Sequence, residues 1–289
     1  MCSELLKLAG SNVQLAHLAA TLIGIGLVTT LLCFVVSEIT FNYSQVDKLW
    51  SFMPVAYSLI ALITFPSPRL WIMFILVTIW GFRLSYNFYR KGGYNIIPWK
   101  GDEDYRWRIL RESPALKGRI RFGLFNLFFI SLYQNFVILM FCSPLFLAAA
   151  DRDTSLRLPD IIAATMMLLF IIAESTADNQ LFRFQTMKRQ GASSEGKYAE
   201  SLKNGFICEG LWRYVRHPNY TSEQAVWVCF YIFGAAASGR WLNWTIIGPL
   251  LLVLLFQGSS TMTENISMGK YPDYAGYRKK VPGFLPRLF

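Results

Sequence analysis

The sequence has few charged residues. Of its 289 residues, 16% are charged and 54% are hydrophobic, whereas charged residues make up about 25% of a typical soluble domain. This balance favours an integral membrane protein over a soluble one. The net charge of +10 does not indicate a nucleic-acid partner, because the basic residues lie between long apolar runs, as is typical of membrane orientation signals.

Residue types and motifs that many active sites need are scarce or absent. The two histidines, His17 and His217, are far apart in the sequence, so we do not expect a protein metal site. The five cysteines show no CxxC or CxxH spacing, and we expect them to be reduced and structural. The sequence has no Walker motif and no GxSxG nucleophile elbow. These absences argue against a soluble nucleotide-binding fold and against a serine hydrolase.

Long apolar runs predict an all-α, polytopic membrane protein. Crossing about 30 Å of hydrocarbon takes about 20 apolar residues, and a spanning segment is helical because hydrocarbon offers the backbone no partner. We predict about seven transmembrane helices in a single membrane domain of residues 1–289. Their ranges are about 13–36, 49–66, 69–90, 122–147, 159–181, 222–238 and 242–262. The first run is too long for a signal-peptide core, so we expect a retained N-terminal anchor helix at 13–36.

The distribution of Lys and Arg predicts the orientation of these helices. Most basic residues lie in 91–121, in 182–221 and in the C-terminal tail, whereas the alternate connections hold few, such as Arg69, Arg157 and Arg240. By the positive-inside rule the N-terminus is then outside and the C-terminus is cytosolic.

The ionisable residues in and near the spans fall on the predicted cytosolic side. They are Glu38, Asp47, Arg83, Glu174, Asp178, Glu223 and Glu264. Because charges at membrane depth are costly, their clustering predicts a polar cavity that opens to the cytosol.

Other interpretations of these residues remain open. Arg83 and Glu174 are also compatible with a structural ion pair, and Glu38 and Asp47 with ordinary interface residues. A carboxylate at Glu223 would offset the positive end of a helix dipole.

Three segments together resemble a known family. The first is GLWRYVRHPNY at 210–220, followed by Glu223 and Trp227; the second is KYPDY at 270–274 with VPGFLP at 281–286; the third is WGFR at 80–83 with EDYRW at 103–107. Over about residues 45–289 they resemble the steroid 5-alpha-reductase superfamily, in its uncharacterised reductase-like branch. The first two segments are similar, more loosely, to isoprenylcysteine carboxyl methyltransferases.

The resemblance implies a membrane enzyme that binds NADPH from the cytosolic side and reduces a C=C bond conjugated to a carbonyl in a lipid or steroid-like substrate. Asp47 would hydrogen-bond the substrate carbonyl, and Trp80 occupies the place of a tyrosine near that carbonyl. The residues assigned to cofactor binding are Asn219, Glu223 and Trp227 at the nicotinamide end, Asp178 at the adenosine ribose, Tyr214, Arg216 and Arg278 near the phosphates, and Glu174 and Arg83 in the same region.

The sequence departs from the family at Trp80, because an indole N–H donates a hydrogen bond but cannot supply a proton as a phenol does. The substrate is therefore open. Two alternatives also remain: an S-adenosylmethionine-dependent lipid or isoprenylcysteine-type methyltransferase, and a non-catalytic lipid-binding homologue. We expect membrane lipids and a lipid or steroid-like molecule as partners, and no nucleic acid. The expected location is the endoplasmic reticulum in a eukaryote or the inner membrane in a bacterium.

Overall fold

A computed structural model describes residues 2–97, 100–151, 153, 155–191 and 196–286, with side chains from residue 13 onwards. The described residues are 78% helical, and no strand occurs among them. The all-α prediction is therefore confirmed.

The helices have the following bounds. They are α1 Cys2–Thr40, α2 Gln45–Leu49, α3 Phe52–Thr64, α4 Pro68–Arg90, α5 Tyr105–Glu112, α6 Arg119–Phe125, α7 Gln134–Phe141, α8 Pro144–Ala150, α9 Leu158–Arg189, α10 Ala199–Asn204, α11 Pro218–Ser238, α12 Ile247–Lys270 and α13 Tyr274–Lys280. A π-helical stretch, Asn126–Tyr133, joins α6 to α7, and short 3-10 turns occupy Gly196–Tyr198, Gly210–Arg213 and Trp244–Ile246.

Five helical segments of the described chain are long and apolar enough to cross a membrane. They are Val13–Thr40, Pro68–Arg90, Arg119–Ala150, Leu158–Arg189 and Trp244–Lys270. The other two predicted spans correspond to α3, a shorter apolar helix, and to α11, which is outside this group of five. A helical membrane protein is thus supported, whereas the count of seven spans stays a prediction.

Several helices extend beyond the predicted apolar runs. The fifth predicted span ended at residue 181, yet α9 continues for another two turns to Arg189. Phe184 explains this extension, because it is buried in a cluster with Tyr198, Ile207 and Trp212. Tertiary packing of this kind stabilises helical turns whose composition is polar.

The chain divides into two compact units, each built from two parts of the sequence. Unit 1 contains Met1–Ala164 and Phe230–Gly248, and unit 2 contains Thr165–Cys229 and Pro249–Phe289. The sequence shows no composition change at these boundaries, and the expected single domain stays a prediction.

Unit 1 contains a buried ion pair near the first turn of α4. Arg69 donates from Nε and Nη2 to the two carboxylate oxygens of Asp160, at 2.8 and 3.0 Å, and from Nη1 to Asp151 at 2.6 Å. Arg69 is 1% exposed and Asp160 is fully buried. The bidentate geometry compensates for removing both charges from water. In the sequence, Arg69 is only a basic residue of a short connection, and no pattern there indicates this contact.

We expect Arg69→Met to destabilise the protein strongly, because it leaves the fully buried Asp160 without its cation, while Asp151 keeps only the longer pair with Arg157 at 3.5 Å. The expected loss in free energy of unfolding is about 3–5 kcal/mol, measured as a fall in melting temperature of the purified protein in detergent. Arg111→Met is the matched control, since Arg111 pairs with Glu103 at 3.4 Å near the surface and such pairs contribute about 0–1 kcal/mol. Equal effects of the two substitutions would contradict this account.

Candidate functional site

The connection after α4 folds back over the segment that begins α2. Gly92 makes this return possible: its φ is +86°, and a Cβ there would lie 2.3 Å from a carboxylate oxygen of Asp102. The side chain of Asn42 then donates to the Gly101 carbonyl at 2.6 Å. The Asp104 amide donates to the Ser44 hydroxyl at 2.9 Å. These contacts, about 60 residues apart in sequence, place two carboxyl groups close together.

Asp47 is the first of these carboxyl groups. It lies partly buried in the short helix α2. The indole nitrogen of Trp107, in α5, donates to its Oδ2 at 2.9 Å, and Trp107 itself is buried. One oxygen of Asp47 is thus held in place by the indole.

Asp104 is the second, and it caps the N-terminus of α5. Its Oδ1 accepts from the Arg106 amide and from Arg106 Nε, both at 2.9 Å, and its Oδ2 accepts from Arg106 Nη2 at 2.8 Å. This carboxyl is therefore neutralised by a bidentate guanidinium.

The pKa values of this pair are displaced in opposite directions. Burial, followed by the nearby charge of Asp104, raises the pKa of Asp47 above its ordinary value. Burial also acts to raise the pKa of Asp104, but the charge and hydrogen bonds of Arg106 outweigh it and lower that pKa. Two carboxyls whose pKa values are separated in this way can divide acid and base roles, and Asp47 is the member that protonates more readily.

Trp80 and Arg83 lie on α4 in the same unit. Trp80 is fully buried, and Arg83 is partly buried. The neighbouring Gly81 is tightly packed, since a Cβ there would lie 2.7 Å from the Ser51 carbonyl oxygen. The buried indole agrees with an interior position for Trp80, and its predicted role at a substrate carbonyl stays a prediction.

Unit 2 gathers four of the predicted cofactor residues. Asp178 on α9 accepts a hydrogen bond from the Asn219 amide of α11 at 3.3 Å. One turn along α11, Glu223 accepts from the indole nitrogen of Trp227 at 3.2 Å. Asp178, Glu223 and Trp227 are 3%, 4% and 0% exposed. Glu174, one turn before Asp178 on α9, is also buried at 3%.

Asn219 has one further feature. Its Oδ1 is buried and accepts no hydrogen bond within the described part of the chain. A buried acceptor without a donor costs about 1–3 kcal/mol. A ligand N–H or O–H at this position would supply the missing donor.

A second polar cluster in unit 2 is centred on Glu264 of α12. Its Oε1 accepts from Arg216 Nε at 2.7 Å and lies 2.9 Å from His217 Nε2, and its Oε2 lies 3.0 Å from Arg278 Nε. Glu264 is 4% exposed. Two of the predicted phosphate ligands, Arg216 and Arg278, are thus paired with one carboxylate, while the third, Tyr214, is 64% exposed.

Two of the three segments that carry the resemblance meet at this cluster. The backbone amides of Arg216 and His217 donate to the carbonyls of Pro282 and Gly283 at 2.9 and 3.1 Å. The Thr221 hydroxyl donates to the Phe284 carbonyl at 2.8 Å. The RHPNY and VPGFLP segments therefore form one structural element, about 65 residues apart in sequence.

Sequence reasoning identified Glu264 as a charge at a helix end but not as the centre of a cluster. It likewise quoted Asp104 and Trp107 as part of a motif without pairing them with Asp47. A charged residue near the end of an apolar run was the available signal for Glu264. No spacing rule connects Trp107 with Asp47, since their contact depends on how the connection folds.

Comparison with known proteins places the chain in a family. A profile described as "Protein of unknown function (DUF1295)" matches residues 33–281. The chain belongs to the DUF1295 family. The "Uncharacterized protein C594.04c" of Schizosaccharomyces pombe is 40% identical over 265 residues, which are 88% of this chain and 75% of that protein. No solved structure matches the chain. The range matched by the DUF1295 profile includes every residue to which the resemblance assigns a role.

The pKa of Asp47 is raised and that of Asp104 is lowered, so the two carboxyls should have opposite effects on how stability depends on pH. When folding raises the pKa of a carboxyl, the protein becomes less stable as pH rises from the pKa in the unfolded state, about 3.9, through the pKa in the folded state. We expect Asp47→Asn to remove this loss of stability with rising pH while keeping an acceptor for Trp107. Asp104 has a lowered pKa, so it contributes stability that is lost as pH falls below about 4.

Melting temperatures of the wild type, Asp47→Asn and Asp104→Asn across pH 3 to 9 test this expectation. Asp104→Asn should remove the acid-side loss and, because the charge of Asp104 helps to raise the pKa of Asp47, should also move the loss of stability caused by Asp47 to lower pH. If Asp47→Asn instead follows the wild-type pH profile, Asp47 is ionised like an ordinary surface carboxyl.

We expect Glu264→Gln to destabilise the protein by about 2–3 kcal/mol, because Arg216, whose side chain is mostly buried, loses its counter-charge and a charge-assisted hydrogen bond. Thermal unfolding in detergent measures this loss. Glu200→Gln is the control: Glu200 belongs to the same unit but is exposed, so its replacement should change stability by at most about 0.5 kcal/mol. A wild-type melting temperature for Glu264→Gln would contradict a structural role for this cluster.

Proposed function

We propose that this DUF1295 member is a membrane-embedded, NADPH-dependent reductase of a C=C bond conjugated to a carbonyl in a lipid or steroid-like substrate. The relation of the family to steroid 5-alpha-reductase-like proteins supports this proposal, as do the motifs at 80–83, 210–220 and 270–286. The observation that carries it is Asp47, a partly buried carboxyl with a raised pKa beside an ionised partner.

The proposed membrane arrangement has seven spans, with α3 and α11 added to the five long apolar segments. Basic residues in 91–121, in 182–221 and in the tail favour a cytosolic face for these segments and for the C-terminus. The active site then opens to the cytosol, in the endoplasmic reticulum of a eukaryotic cell or the inner membrane of a bacterial one.

Asp47 would act as the hydrogen-bond donor to the substrate carbonyl. Hydride addition to the β carbon of an enone builds negative charge on the carbonyl oxygen, and a donor aimed at that oxygen stabilises the transition state. A protonated Asp47 would carry such a donor as its carboxyl O–H, while the Trp107 indole donates to Oδ2. Arg106 keeps Asp104 ionised, and that charge favours the protonated form of Asp47.

The residues of unit 2 fit the amide and hydroxyl groups of a nicotinamide nucleotide. Bound NADPH supplies the hydride. The unpartnered Oδ1 of Asn219 would accept from the carboxamide, and Glu223 is close by on the same helix face. Asp178 would accept from ribose hydroxyls, since carboxylates recognise such donors.

Phosphate binding would fall to basic residues of unit 2. Arg216 is committed to Glu264 and to the carbonyls of Arg278 and Val281. Arg278 is 41% exposed in its side chain, and it is followed by the exposed Lys279 and Lys280. We therefore assign the phosphates to Arg278 and these lysines, with Arg216 holding the segment in place.

Cofactor binding by the purified protein in detergent tests the proposal. We expect saturable NADPH binding, with no binding of S-adenosylmethionine. Glu223→Gln keeps an acceptor for Trp227 but removes the charge, and should weaken NADPH affinity about 10-fold or more. Glu200→Gln, an exposed carboxylate of the same unit, should bind NADPH as the wild type does.

The same preparation separates cofactor binding from chemistry. Asp47→Asn should bind NADPH normally and lose reduction of enone lipids, followed as NADPH oxidation. Binding of S-adenosylmethionine instead of NADPH would favour the methyltransferase alternative. Binding of neither, or NADPH binding unchanged in Glu223→Gln, would contradict the proposed site.

A further inference from the structure

Phe41, which directly follows α1, has an unusual backbone conformation and an exposed ring. Its φ is +55°, and among the described residues it is the only non-glycine with a positive φ. This region of conformational space is unfavourable for a bulky side chain. The phenyl ring is nevertheless 56% exposed, so packing within the protein does not explain a phenylalanine here. A partner outside the chain would explain it.

Phe41 lies where two of the long apolar segments meet. The segment Val13–Thr40 ends directly before it, and the segment Arg119–Ala150 begins with a residue that contacts it. The guanidinium carbon of Arg119 lies 5.9 Å from the centroid of the Phe41 ring. The two segments therefore reach the same membrane boundary side by side, and Phe41 and Arg119 lie at that boundary.

Arg119 is available to bind an anion. Its side chain is exposed, and no carboxylate of the described chain lies within salt-bridge distance of it. From residue 113 to residue 150 the chain has no Asp or Glu, but it has Lys117, Arg119 and Arg121. The acidic residue at the end of α1, Glu38, instead accepts from a side-chain amide at 2.9 Å. A guanidinium without a carboxylate partner can bind two phosphate oxygens at once.

A second arginine joins the Phe41 segment to α6. Arg111 donates from Nη1 to the Phe41 carbonyl at 3.3 Å, and its guanidinium carbon lies 5.3 and 6.0 Å from the rings of Tyr43 and Phe122. These two rings contact each other edge to face, with centroids 4.6 Å apart. Arg111 also pairs with Glu103 at 3.4 Å. Arg111 is therefore used within the structure, whereas Arg119 remains available to a ligand.

Exposed apolar side chains adjoin this boundary on both segments. Ile39 is exposed near the end of α1, and Ile120 and Leu124 are exposed on α6. Because Ile120 and Leu124 are four residues apart, they lie on one face of their helix. A cation beside exposed apolar side chains at the end of a spanning segment matches the phosphate and the first acyl carbons of a phospholipid.

We propose that this boundary is a binding site for an anionic phospholipid. Arg119 donates to the phosphate, Lys117 adds positive charge near the headgroup, and Phe41, Ile39 and Ile120 contact the upper part of the acyl chains. A zwitterionic headgroup fits less well, because its own ammonium group offsets the charge of its phosphate. In the orientation proposed above, the boundary faces the cytosolic leaflet, where anionic lipids attract basic segments. The site does not depend on the reductase chemistry.

Lipid binding to the purified full chain in a neutral detergent tests this proposal. Native mass spectrometry counts the lipids bound during titration with dioleoyl phosphatidylglycerol, with dioleoyl phosphatidylcholine or with inorganic phosphate. We expect saturable binding of phosphatidylglycerol, about 10-fold tighter than that of phosphatidylcholine. Inorganic phosphate at millimolar concentration should not displace the lipid, because it lacks the acyl chains that contact the apolar side chains.

Arg119→Gln should weaken the binding of phosphatidylglycerol about 10-fold and remove its preference over phosphatidylcholine. Arg121→Gln is the matched control. It removes the same charge from an exposed residue of the same helix, but about 200° around the helix axis, where side chains do not share a face. This variant should bind phosphatidylglycerol as the wild type does.

Phe41→Gly separates lipid contact from structural damage. Glycine adopts a positive φ without strain, so the melting temperature in detergent should not fall. The affinity for both phospholipids should nevertheless fall about 3-fold or more, since both lose the apolar contact with the ring. Melting temperatures of the two arginine variants verify that they are folded.

Equal effects of Arg119→Gln and Arg121→Gln would overturn the proposal, because they would show a response to net charge alone. Equal affinity of the wild type for the two phospholipids would also overturn it. Displacement of the lipid by inorganic phosphate, or unchanged lipid binding in Phe41→Gly, would have the same consequence.

Discussion

Burying a carboxyl group in an apolar helical protein costs free energy unless the group is paired, hydrogen-bonded or kept protonated. The described chain uses each of these solutions. Asp160 is paired with Arg69, Glu264 is surrounded by Arg216, His217 and Arg278, and Asp47 has a raised pKa. In the first two arrangements, neighbouring cations of the protein neutralise the carboxylate. Only the third leaves a group able to donate a proton or a hydrogen bond to a ligand.

The contrast between the two acidic clusters decides where chemistry is expected. Glu264 has its two oxygens occupied by cations, so it holds the RHPNY and VPGFLP segments together rather than acting on a substrate. Asp47 instead accepts from the neutral indole N–H of Trp107 and has a raised pKa. In unit 2, the buried Oδ1 of Asn219 has no hydrogen-bond partner in the described chain. The proposed cofactor site depends on this acceptor, whose hydrogen-bonding capacity the described residues leave unused.

Helices were predictable from the sequence, but contacts between distant segments were not. The apolar runs near residues 13–36, 69–90 and 159–181 predicted the central parts of α1, α4 and α9, since a spanning helix needs a continuous apolar run. The extension of α9 to Arg189 depends on packing of Phe184, which hydropathy does not report.

The candidate site was likewise predictable in its residues but not in its contacts between distant segments. The resemblance grouped Asp178, Asn219 and Glu223, and the structure brings Asp178 and Asn219 into contact, with Glu223 one turn further along α11. The partners of Asp47 were beyond sequence reasoning, because its contact with Trp107 depends on a turn at Gly92 and on a connection folding back onto α2. The ion pairs of Arg69 were likewise not predicted, because they depend on Asp151 and Asp160, which lie far along the chain from Arg69.

The protonation of Asp47 is the claim on which the proposed chemistry depends most directly. Infrared difference spectroscopy of the purified protein, recorded between neutral and alkaline pH, detects the carbonyl stretch of a protonated carboxyl group. The account predicts such a band in the wild type at neutral pH and its absence in Asp47→Asn. A wild-type spectrum without the band, or a band that persists unchanged in Asp47→Asn, would contradict it.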